Sequence, residues 1–348
     1  MQYKDFQGLS LSRLGMGNMR LPASVPRGPI DTDKAEELID YVYHQGINYF
    51  DTAYFYHEGQ SESFLGHALS RYPRDSYFLA DKMPASPLKS EGKTPAEIFE
   101  GQLAKCRTDH FDFYLLHNVC EDSIPVFTDE TLGVIPYLLE QKKAGRIRHL
   151  GLSSHSRPDT LRAFLSRYDF FEFIQIQLNY LDWDYQNAKE QYDIITQYGV
   201  PVWVMEPLRG GRLARLSDEE AAPLRAMRPE EPIPAWAFRF LQSIPSVTMI
   251  LSGMSDLEQV KANIATFQMG VPLSSREMDR LLAQAQRMVS KTALPCTACH
   301  YCVSHCPQGL DIPSLLALYN EHAFTGGGFL APMALSALPQ DKWPSACI

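Results

Sequence analysis

Four polar side chains follow predicted strands in positions where they could transfer a proton. Asp51, Lys82 and His117 each end one of three successive strand-like runs, and Tyr56 follows Asp51 by five residues. A phenol has a pKa of about 10 and is a poor acid unless a cation stabilises its anion. Lys82 can supply that cation while Asp51 holds the ammonium. Each residue alone fits an ordinary structural role, but the four together predict proton donation to a carbonyl oxygen near neutral pH.

Four of the seven cysteines are clustered near the C-terminus. They form the run Cys296-x2-Cys299-x2-Cys302-x3-Cys306, which a proline follows. This is the spacing of bacterial iron-sulfur ligands, and the clustering favours metal ligation over disulfides. A structural zinc site usually separates its two Cys-x2-Cys pairs by about a dozen residues or more, so zinc is the minor alternative. The run therefore predicts a 4Fe-4S cluster.

The elements that must position these residues alternate regularly along the chain. After a predicted hairpin at residues 3–14, eight runs rich in β-branched and aromatic residues alternate with eight helical patterns, up to about residue 267. The predicted strands cover residues 15–17, 49–51, 77–82, 111–117, 149–153, 173–177, 200–205 and 247–251. The predicted helices cover residues 32–45, 62–71, 95–105, 134–143, 158–167, 186–198, 234–242 and 256–267. Eight such units in about 250 residues predict an α/β fold of the (β/α)8 TIM-barrel type.

An open, doubly wound sheet is the competing α/β architecture. It would carry a G-x-G-x-x-G turn after its first strand, and Gly15-Met16-Gly17-Asn18 lacks the third glycine. A ninth helical pattern, at residues 274–290, precedes the cysteines, and a short helix is predicted to start at Asp311. Residues 324–348 are rich in Gly, Pro and Ala and are predicted to be loop. The expected domains are a barrel at 1–290 and a small Cys-rich segment at 291–348.

Composition and charge exclude several function classes. The 348 residues include 32 Lys and Arg against 41 Asp and Glu, a formal charge of -9, and such a field repels nucleic acid and anionic membranes. No apolar stretch approaches the ~20 residues that a transmembrane helix needs, and the first residues lack a signal-peptide core. We therefore expect a cytoplasmic protein that binds a small molecule, with no nucleic acid and no membrane as partner.

Over about residues 3–268 the sequence resembles the aldo-keto reductase family, whose members are barrels that bind a nicotinamide cofactor. The resemblance rests on Asp51, Tyr56, Lys82 and His117. It also rests on Gly151-Leu152-Ser153, on Gln177 with Tyr180, on Pro207-Leu208 and on Ser252-Gly253 with Asn263. It implies a carbonyl reductase that acts on an aldehyde, ketone or sugar-like substrate. Tyr56 would be the general acid, Lys82 and Asp51 would tune it, and His117 would orient the carbonyl.

The same resemblance implies where NADP or NAD would bind. Ser153 and Gln177 match the positions that hold the carboxamide, and Ser154 stands where the family has Asn. The expected cofactor-binding residues are Gly17, Asn18, Asp51, Ser153, Ser154, Gln177, Met205, Pro207, Leu208, Arg209, Ser252, Gly253, Gln259 and Asn263.

The chain departs from the family at several of these positions. Met205 replaces the aromatic residue that stacks on the nicotinamide, and Glu206 replaces a serine. Gly253 and Gln259 stand where many members place cations for the 2'-phosphate of NADP, which leaves Arg209 as the candidate substitute. These residues leave the choice between NAD and NADP open, with discrimination expected to be modest or to favour NADH.

The Cys-rich segment resembles the ferredoxin-like extension of one branch of this family. Nicotinamide gives two electrons at once whereas a cluster accepts one, so the cluster is expected to be structural or to serve a separate flavoprotein or ferredoxin-type partner. An alternative function is therefore a nicotinamide-binding redox sensor or electron-transfer subunit that uses this segment. Met205, Glu206 and the cysteines favour this alternative. The set of Asp51, Tyr56, Lys82 and His117 favours the enzyme.

Metal analysis of anaerobically purified protein tests the cluster. In two-cluster motifs the fourth cysteine of each run serves the other cluster, and no second run is present here. The fourth ligand is thus Cys306, Cys347 or a residue beyond Ile348 in a truncated segment. About four irons per chain indicate one complete cluster, and about eight in a longer chain indicate truncation. Zinc in place of iron would contradict the iron-sulfur interpretation.

Overall fold

The computed structural model describes residues 1–23, 28–290, 294, 296, 302–325, 327–328 and 330–347. Its strands are β1 Tyr3–Phe6, β2 Leu9–Ser12, β3 Leu14–Gly17, β4 Tyr49–Asp51, β5 Phe78–Met83, β6 Phe111–Val119, β7 Ile147–Ser154, β8 Phe173–Gln177, β9 Val202–Met205 and β10 Val247–Ser252. Strands β3 to β10 form a closed barrel in the order β10-β3-β4-β5-β6-β7-β8-β9, and all neighbours are parallel. The predicted eight-stranded barrel is confirmed.

The helices lie around this barrel. They are α1 Thr32–His44, α2 Ser61–Leu69, α3 Ser86–Ser90, α4 Pro95–Cys106, α5 Ile124–Phe127, α6 Val134–Lys143, α7 Pro158–Arg167, α8 Asp182–Tyr185, α9 Ala188–Gln197, α10 Asp218–Met227, α11 Ile233–Gln242, α12 Leu257–Met269, α13 Ser275–Ser290, α14 Ile312–Thr325 and α15 Leu330–Ser336. The eight predicted barrel helices are α1, α2, α4, α6, α7, α9, α11 and α12. None of the described helices has the length and apolar character needed to cross a membrane.

The β1–β2 hairpin closes the amino-terminal end of the barrel. Its turn residues Gln7 and Gly8 both have positive φ, 52° and 85°, as a tight two-residue hairpin turn requires. Phe6 inserts into an aromatic cluster inside the barrel, with its ring centroid 5.0 Å from that of Trp203 and 5.7 Å from that of Phe113. This packing fills the lower barrel and leaves the carboxyl ends of the strands for a site.

Several segments differ from the sequence-based predictions, and among them the short helices α3, α5 and α8 were not predicted. Helix α10 was not predicted, although its Ser217 and Glu220 form a capping box that the sequence displays. The predicted loop over residues 324–348 is wrong in part, because Leu330–Ser336 is helical and lies against α14. Apolar side chains covered by another helix can stabilise a short helix that composition alone disfavours. The predicted boundary near residue 290 stays a prediction.

Two helical glycines provide a matched test of the packing between α2 and α4. A Cβ on Gly66 would lie 2.4 Å from the Lys105 carbonyl oxygen, whereas a Cβ on Gly101 would meet nothing within 4 Å. Gly66→Ala should therefore lower the free energy of unfolding by about 1–3 kcal/mol. Gly101→Ala should raise it by about 0.5–1 kcal/mol, because alanine is the better helix former. Denaturant unfolding measures both, and equal effects would contradict the close approach of α2 to α4.

Candidate active site

The centre of the site is an ion pair between the ends of β4 and β5. Lys82 Nζ donates hydrogen bonds to Asp51 Oδ1 at 2.6 Å and to the Thr52 carbonyl oxygen at 2.7 Å, and the Lys82 side chain has no exposed surface. Burial alone would lower the pKa of Lys82, but the adjacent Asp51 carboxylate opposes it and the pKa is raised overall. The lysine therefore carries its positive charge at neutral pH.

Tyr56 lies directly above this pair. It begins a short turn at residues 56–59 in which His57 and Glu58 take positive φ values of 49° and 54°. Lys82 Nζ is 5.0 Å from the centroid of the Tyr56 ring. Burial raises the pKa of the phenol, and Lys82 acts in the opposite direction without cancelling that rise. Tyr56 is therefore protonated at neutral pH, as a proton donor must be.

His117 completes the set that the sequence predicted. Its ring is edge-on to that of Tyr56, with 6.1 Å between the centroids and 84° between the planes. Burial lowers the pKa of His117 to about 3, and the charges of Lys82 and His155 act in the same direction. A neutral imidazole keeps one N–H donor and one acceptor, so it can orient a carbonyl without adding charge. The structure thus brings all four predicted catalytic residues together.

Behind β5 lies a second buried network that the sequence reasoning missed. Gln102 Nε2 donates to the Lys82 carbonyl oxygen at 3.0 Å and to Glu62 Oε1 at 2.9 Å, and Asp81 Oδ1 accepts from the Lys82 N–H at 2.8 Å. The network thus holds the Lys82 peptide through both its N–H and its carbonyl, and with it the base of the ammonium side chain. Glu62 and Gln102 stand at buried positions of α2 and α4, and polar residues at core positions of amphipathic helices were the available signal.

A cleft of about 620 Å³ opens beside Tyr56. Of the predicted cofactor residues, nine line it, namely Gly17, Asp51, Met205, Pro207, Leu208, Ser252, Gly253, Gln259 and Asn263. Within the described part of the chain, no hydrogen-bond partner reaches Asp51 Oδ2 or Gln175 Oε1. Buried polar atoms that lack a partner are costly, so these atoms fit a site that receives a polar ligand such as a nicotinamide cofactor. Gln175 also lines this cleft and was not predicted.

The other predicted cofactor residues lie elsewhere. Ser154 and Gln177 line a second cavity, of about 610 Å³, between the loops after β7 and β8 and the C-terminal helices. Asn18 and Ser153 are buried and do not line either cavity. Asn18 Nδ2 donates to the Asp51 carbonyl oxygen at 2.9 Å, and Ser153 Oγ accepts from the Asn118 N–H at 2.8 Å. They support the strand ends that carry Asp51 and His117.

Arg209 requires a correction. The expectation that it supplies a cation for a 2'-phosphate is not met, because its side chain is 3% exposed and points away from the cleft. Its Nε donates to Asp182 Oδ1 at 2.8 Å, and its Nη2 donates to Glu321 Oε2. A buried guanidinium needs such carboxylate partners, and they determine its direction.

Two other arginines line the cleft, Arg20 and Arg215. Arg20 Nη2 forms an ion pair with Glu206 Oε1 at 3.0 Å, which joins the segment after β3 to the segment after β9. The Glu206 that replaces the family's serine therefore has a defined partner. It also accepts a hydrogen bond from the Gly210 N–H and has a positive φ of 53°.

The described residues do not assemble a metal centre. Cys299 lies outside the described residues, and among the residues that are described, no three His, Cys, Asp or Glu side chains are placed to hold a metal. Cys296 lines the second cavity, and Cys306 Sγ accepts from the Leu310 N–H at 3.4 Å. Cys302 begins a short turn at residues 303–305. The 4Fe-4S cluster stays a prediction from the cysteine spacing.

The fold and the site define a (β/α)8 barrel that carries a phenol, an ammonium, a carboxylate and an imidazole at the carboxyl ends of its strands. Residues 13–285 match the model of the Aldo/keto reductase family. The chain belongs to this family of oxidoreductases, as the resemblance implied.

Individual proteins and solved structures are also similar to this chain. The chain is 26% identical to the NADH-specific methylglyoxal reductase of Escherichia coli over 80% of this chain and 96% of that protein. It is also 26% identical to the probable aldo-keto reductase 1 of Glycine max, and here it spans only 58% of the relative's length. Among solved structures, the holo form of an aldo-keto reductase from Bacillus halodurans superposes with a TM-score of 0.66 at 29% identity, over 82% of this chain and 95% of that one.

The low pKa of His117 predicts a measurable pH dependence of stability. An unfolded histidine has a pKa of about 6.5, so between about pH 6.5 and 3 the unfolded state binds more protons and stability falls as pH falls. Between pH 7 and 5, wild type should lose on the order of 1 kcal/mol more than His117→Gln in urea unfolding. His44→Gln, which changes an exposed histidine of α1, is the control. Equal losses in wild type and His117→Gln would contradict a His117 imidazole that stays neutral in the folded protein.

Proposed function

We propose that this chain is an NAD(P)H-dependent carbonyl reductase with Tyr56 as its general acid. The observation that carries the proposal is the Lys82–Asp51 ion pair, which lies fully buried beneath Tyr56 at the edge of the cleft. A phenol next to a fixed ammonium can release its proton to a developing alkoxide, because the ammonium stabilises the phenolate that remains. The substrate class is an aldehyde, ketone or sugar-like carbonyl compound.

Each residue then has a distinct role. A reduced nicotinamide, when bound, supplies hydride to the carbonyl carbon. Tyr56 Oη gives the proton to the carbonyl oxygen, and the Lys82 ammonium stabilises the phenolate that remains on Tyr56. Asp51 holds the ammonium in place, and the neutral His117 orients the carbonyl oxygen through an N–H donor. The residues that line the cleft would hold the cofactor, with the Arg20–Glu206 ion pair at its rim.

The residues of the cleft favour NADH or only weak discrimination. Gly253 and Gln259 offer no cation for a 2'-phosphate, Arg209 is bound elsewhere, and Glu258 adds an acidic side chain to the same wall. Of the two arginines that line the cleft, Arg20 is paired with Glu206, which leaves Arg215 as the other lining cation. The Escherichia coli relative, which is named as NADH-specific, supports this preference. Gln259→Arg should strengthen NADPH binding and leave NADH binding unchanged, because a guanidinium pairs with phosphate. A strong NADPH preference in wild type would contradict this part of the proposal.

We further propose, from the cysteine spacing alone, that Cys296, Cys299, Cys302 and Cys306 hold a 4Fe-4S cluster, with a structural role or a flavoprotein or ferredoxin-type partner. This cluster has no part in the proton transfer described above.

A pair of phenol variants tests the catalytic assignment. Tyr56→Phe should lower kcat about 100-fold or more in a carbonyl-substrate screen with NADH and NADPH, because proton transfer is lost. Cofactor Kd should change less than about twofold, because the hydroxyl acts mainly on the developing alkoxide. Tyr54→Phe is the control, since Tyr54 lies on the same loop but bonds to Lys93 rather than lining the cleft. A Tyr56→Phe enzyme with wild-type turnover would overturn the assignment.

A further inference from the structure

The loop that follows β9 has two faces with different neighbours. We name residues 206–211 the β9 loop. On one face Glu206, Pro207, Leu208, Gly210 and Gly211 line the cleft beside Tyr56. On the other face the side chain of Arg209 is buried and pairs with Glu321 of the C-terminal helix α14. The same six residues therefore touch both the proposed cofactor site and the C-terminal segment.

Arg209 makes this second contact. Its guanidinium bridges Asp182 at the start of α8 and Glu321 in α14, and all three side chains are at most 7% exposed. The guanidinium carbon also lies 5.5 Å from the ring centroid of Tyr185 and 5.3 Å from that of Phe324. Carboxylates and aromatic faces on both sides thus fix the position of one cation between the barrel and α14.

The network continues back to the beginning of the β9 loop. Asp182 Oδ2 accepts hydrogen bonds from Asn179 Nδ2 at 2.7 Å and from Gln177 Nε2 at 2.8 Å. Asn179 Nδ2 also donates to the carbonyl oxygen of Glu206 at 3.1 Å. One set of buried polar contacts therefore holds the first residue of the loop through its backbone and the fourth through its side chain.

The backbone of the β9 loop needs this support. Glu206 and Arg209 have positive φ values of 53° and 48°, and Gly210 and Gly211 have values of 66° and 94°. Left-handed conformations cost energy for residues other than glycine, so they persist only where the surroundings hold them. Without the contacts of Arg209, the two strained residues would be free to relax, and the wall of the cleft would move with them.

We propose that Arg209 and Glu321 are positioning residues, through which α14 holds the β9 loop in the shape that binds the nicotinamide cofactor. The proposal rests on the proposed function of the cleft. It gives the C-terminal segment a role in cofactor affinity that does not depend on any metal. Tyr56, Lys82 and His117 lie on other elements, so the chemical step should be largely unaffected by this contact.

Variants of Glu321 test the proposal. Glu321→Leu leaves the buried guanidinium with Asp182 alone, and it should raise the Kd of NADH about tenfold in a fluorescence titration. The kcat at saturating NADH should stay within about twofold of wild type, because the loop does not carry the proton donor. Glu321→Gln retains an acceptor for Arg209 and should restore Kd to within about threefold. An unchanged Kd in a folded Glu321→Leu protein would overturn the proposal, as would a loss in kcat with Kd unchanged.

The control is a buried ion pair of the same kind elsewhere in the barrel. Glu231 Oε1 pairs with Arg239 Nη2 at 2.9 Å, with side chains 8% and 1% exposed, and neither residue lines the cleft. Glu231→Leu should lower stability without changing the Kd of NADH. A tenfold change in this control would show that any loss of a buried ion pair weakens cofactor binding, and it would overturn the specific role of Arg209.

Two further measurements cover a Glu321→Leu variant that does not fold and a wild-type protein that does not bind the cofactor. If Glu321→Leu does not fold, Gln186→Leu removes only the 2.9 Å hydrogen bond from Gln186 to Glu321, and it should raise the Kd about twofold to threefold. An unchanged Kd in that variant would overturn the proposal. Wild-type protein that binds neither NADH nor NADPH would overturn the proposed function instead, whereas wild-type binding with unresponsive variants overturns the role of α14 alone.

Discussion

The buried pair of Lys82 and Asp51 is the interaction on which the site depends. A fully buried ammonium is stable only beside a carboxylate and with its remaining protons bonded, and the structure supplies Asp51 Oδ1 and the Thr52 carbonyl oxygen. Because these partners lie on β4 and just after it, they require the register in which β4 and β5 are neighbours. The polar network of Gln102, Glu62 and Asp81 then holds the lysine backbone from behind the strand.

Burial sets the protonation states of the two groups above this pair, and the Lys82 ammonium modifies them. Burial keeps the Tyr56 phenol protonated, while burial and the lysine charge keep the His117 imidazole neutral. One group can therefore give a proton and the other can orient an oxygen without competing for the same role. The protonation states follow from the burial of each group and its distance from the ammonium, rather than from residue type alone.

The C-terminal segment is joined to the barrel by charge rather than by apolar packing alone. Arg209 takes partners from α8 and α14, so its guanidinium cannot also face the cleft. The position of Arg209 outside the cleft lining and the attachment of α14 thus have one physical cause.

The sequence alone predicted the barrel, its eight strands and the grouping of Asp51, Tyr56, Lys82 and His117. Strand and helix periodicity are local properties, and parallel strands in a closed barrel necessarily end on one face, so Asp51, Lys82 and His117 could be placed together without coordinates. Sequence patterns do not show which polar groups, distant along the chain, pair with each other. Arg209 meets Glu321 across 112 positions of chain, and Gln102 meets Glu62 across 40.

Only the tertiary structure could decide which of several carboxylates each cation reaches, and whether Gln175 or Gln177 lines the cleft. Both glutamines lie on the same face of β8 by alternation, and the sequence-based prediction chose the second. Gln177 Nε2 donates to Asp182 Oδ2 at 2.8 Å, whereas Gln175 Nε2 contacts Met205 Sδ in the cleft wall at 3.5 Å. Side-chain type and spacing fix what a residue can do, but the partners that the fold brings within about 3 Å decide what it does.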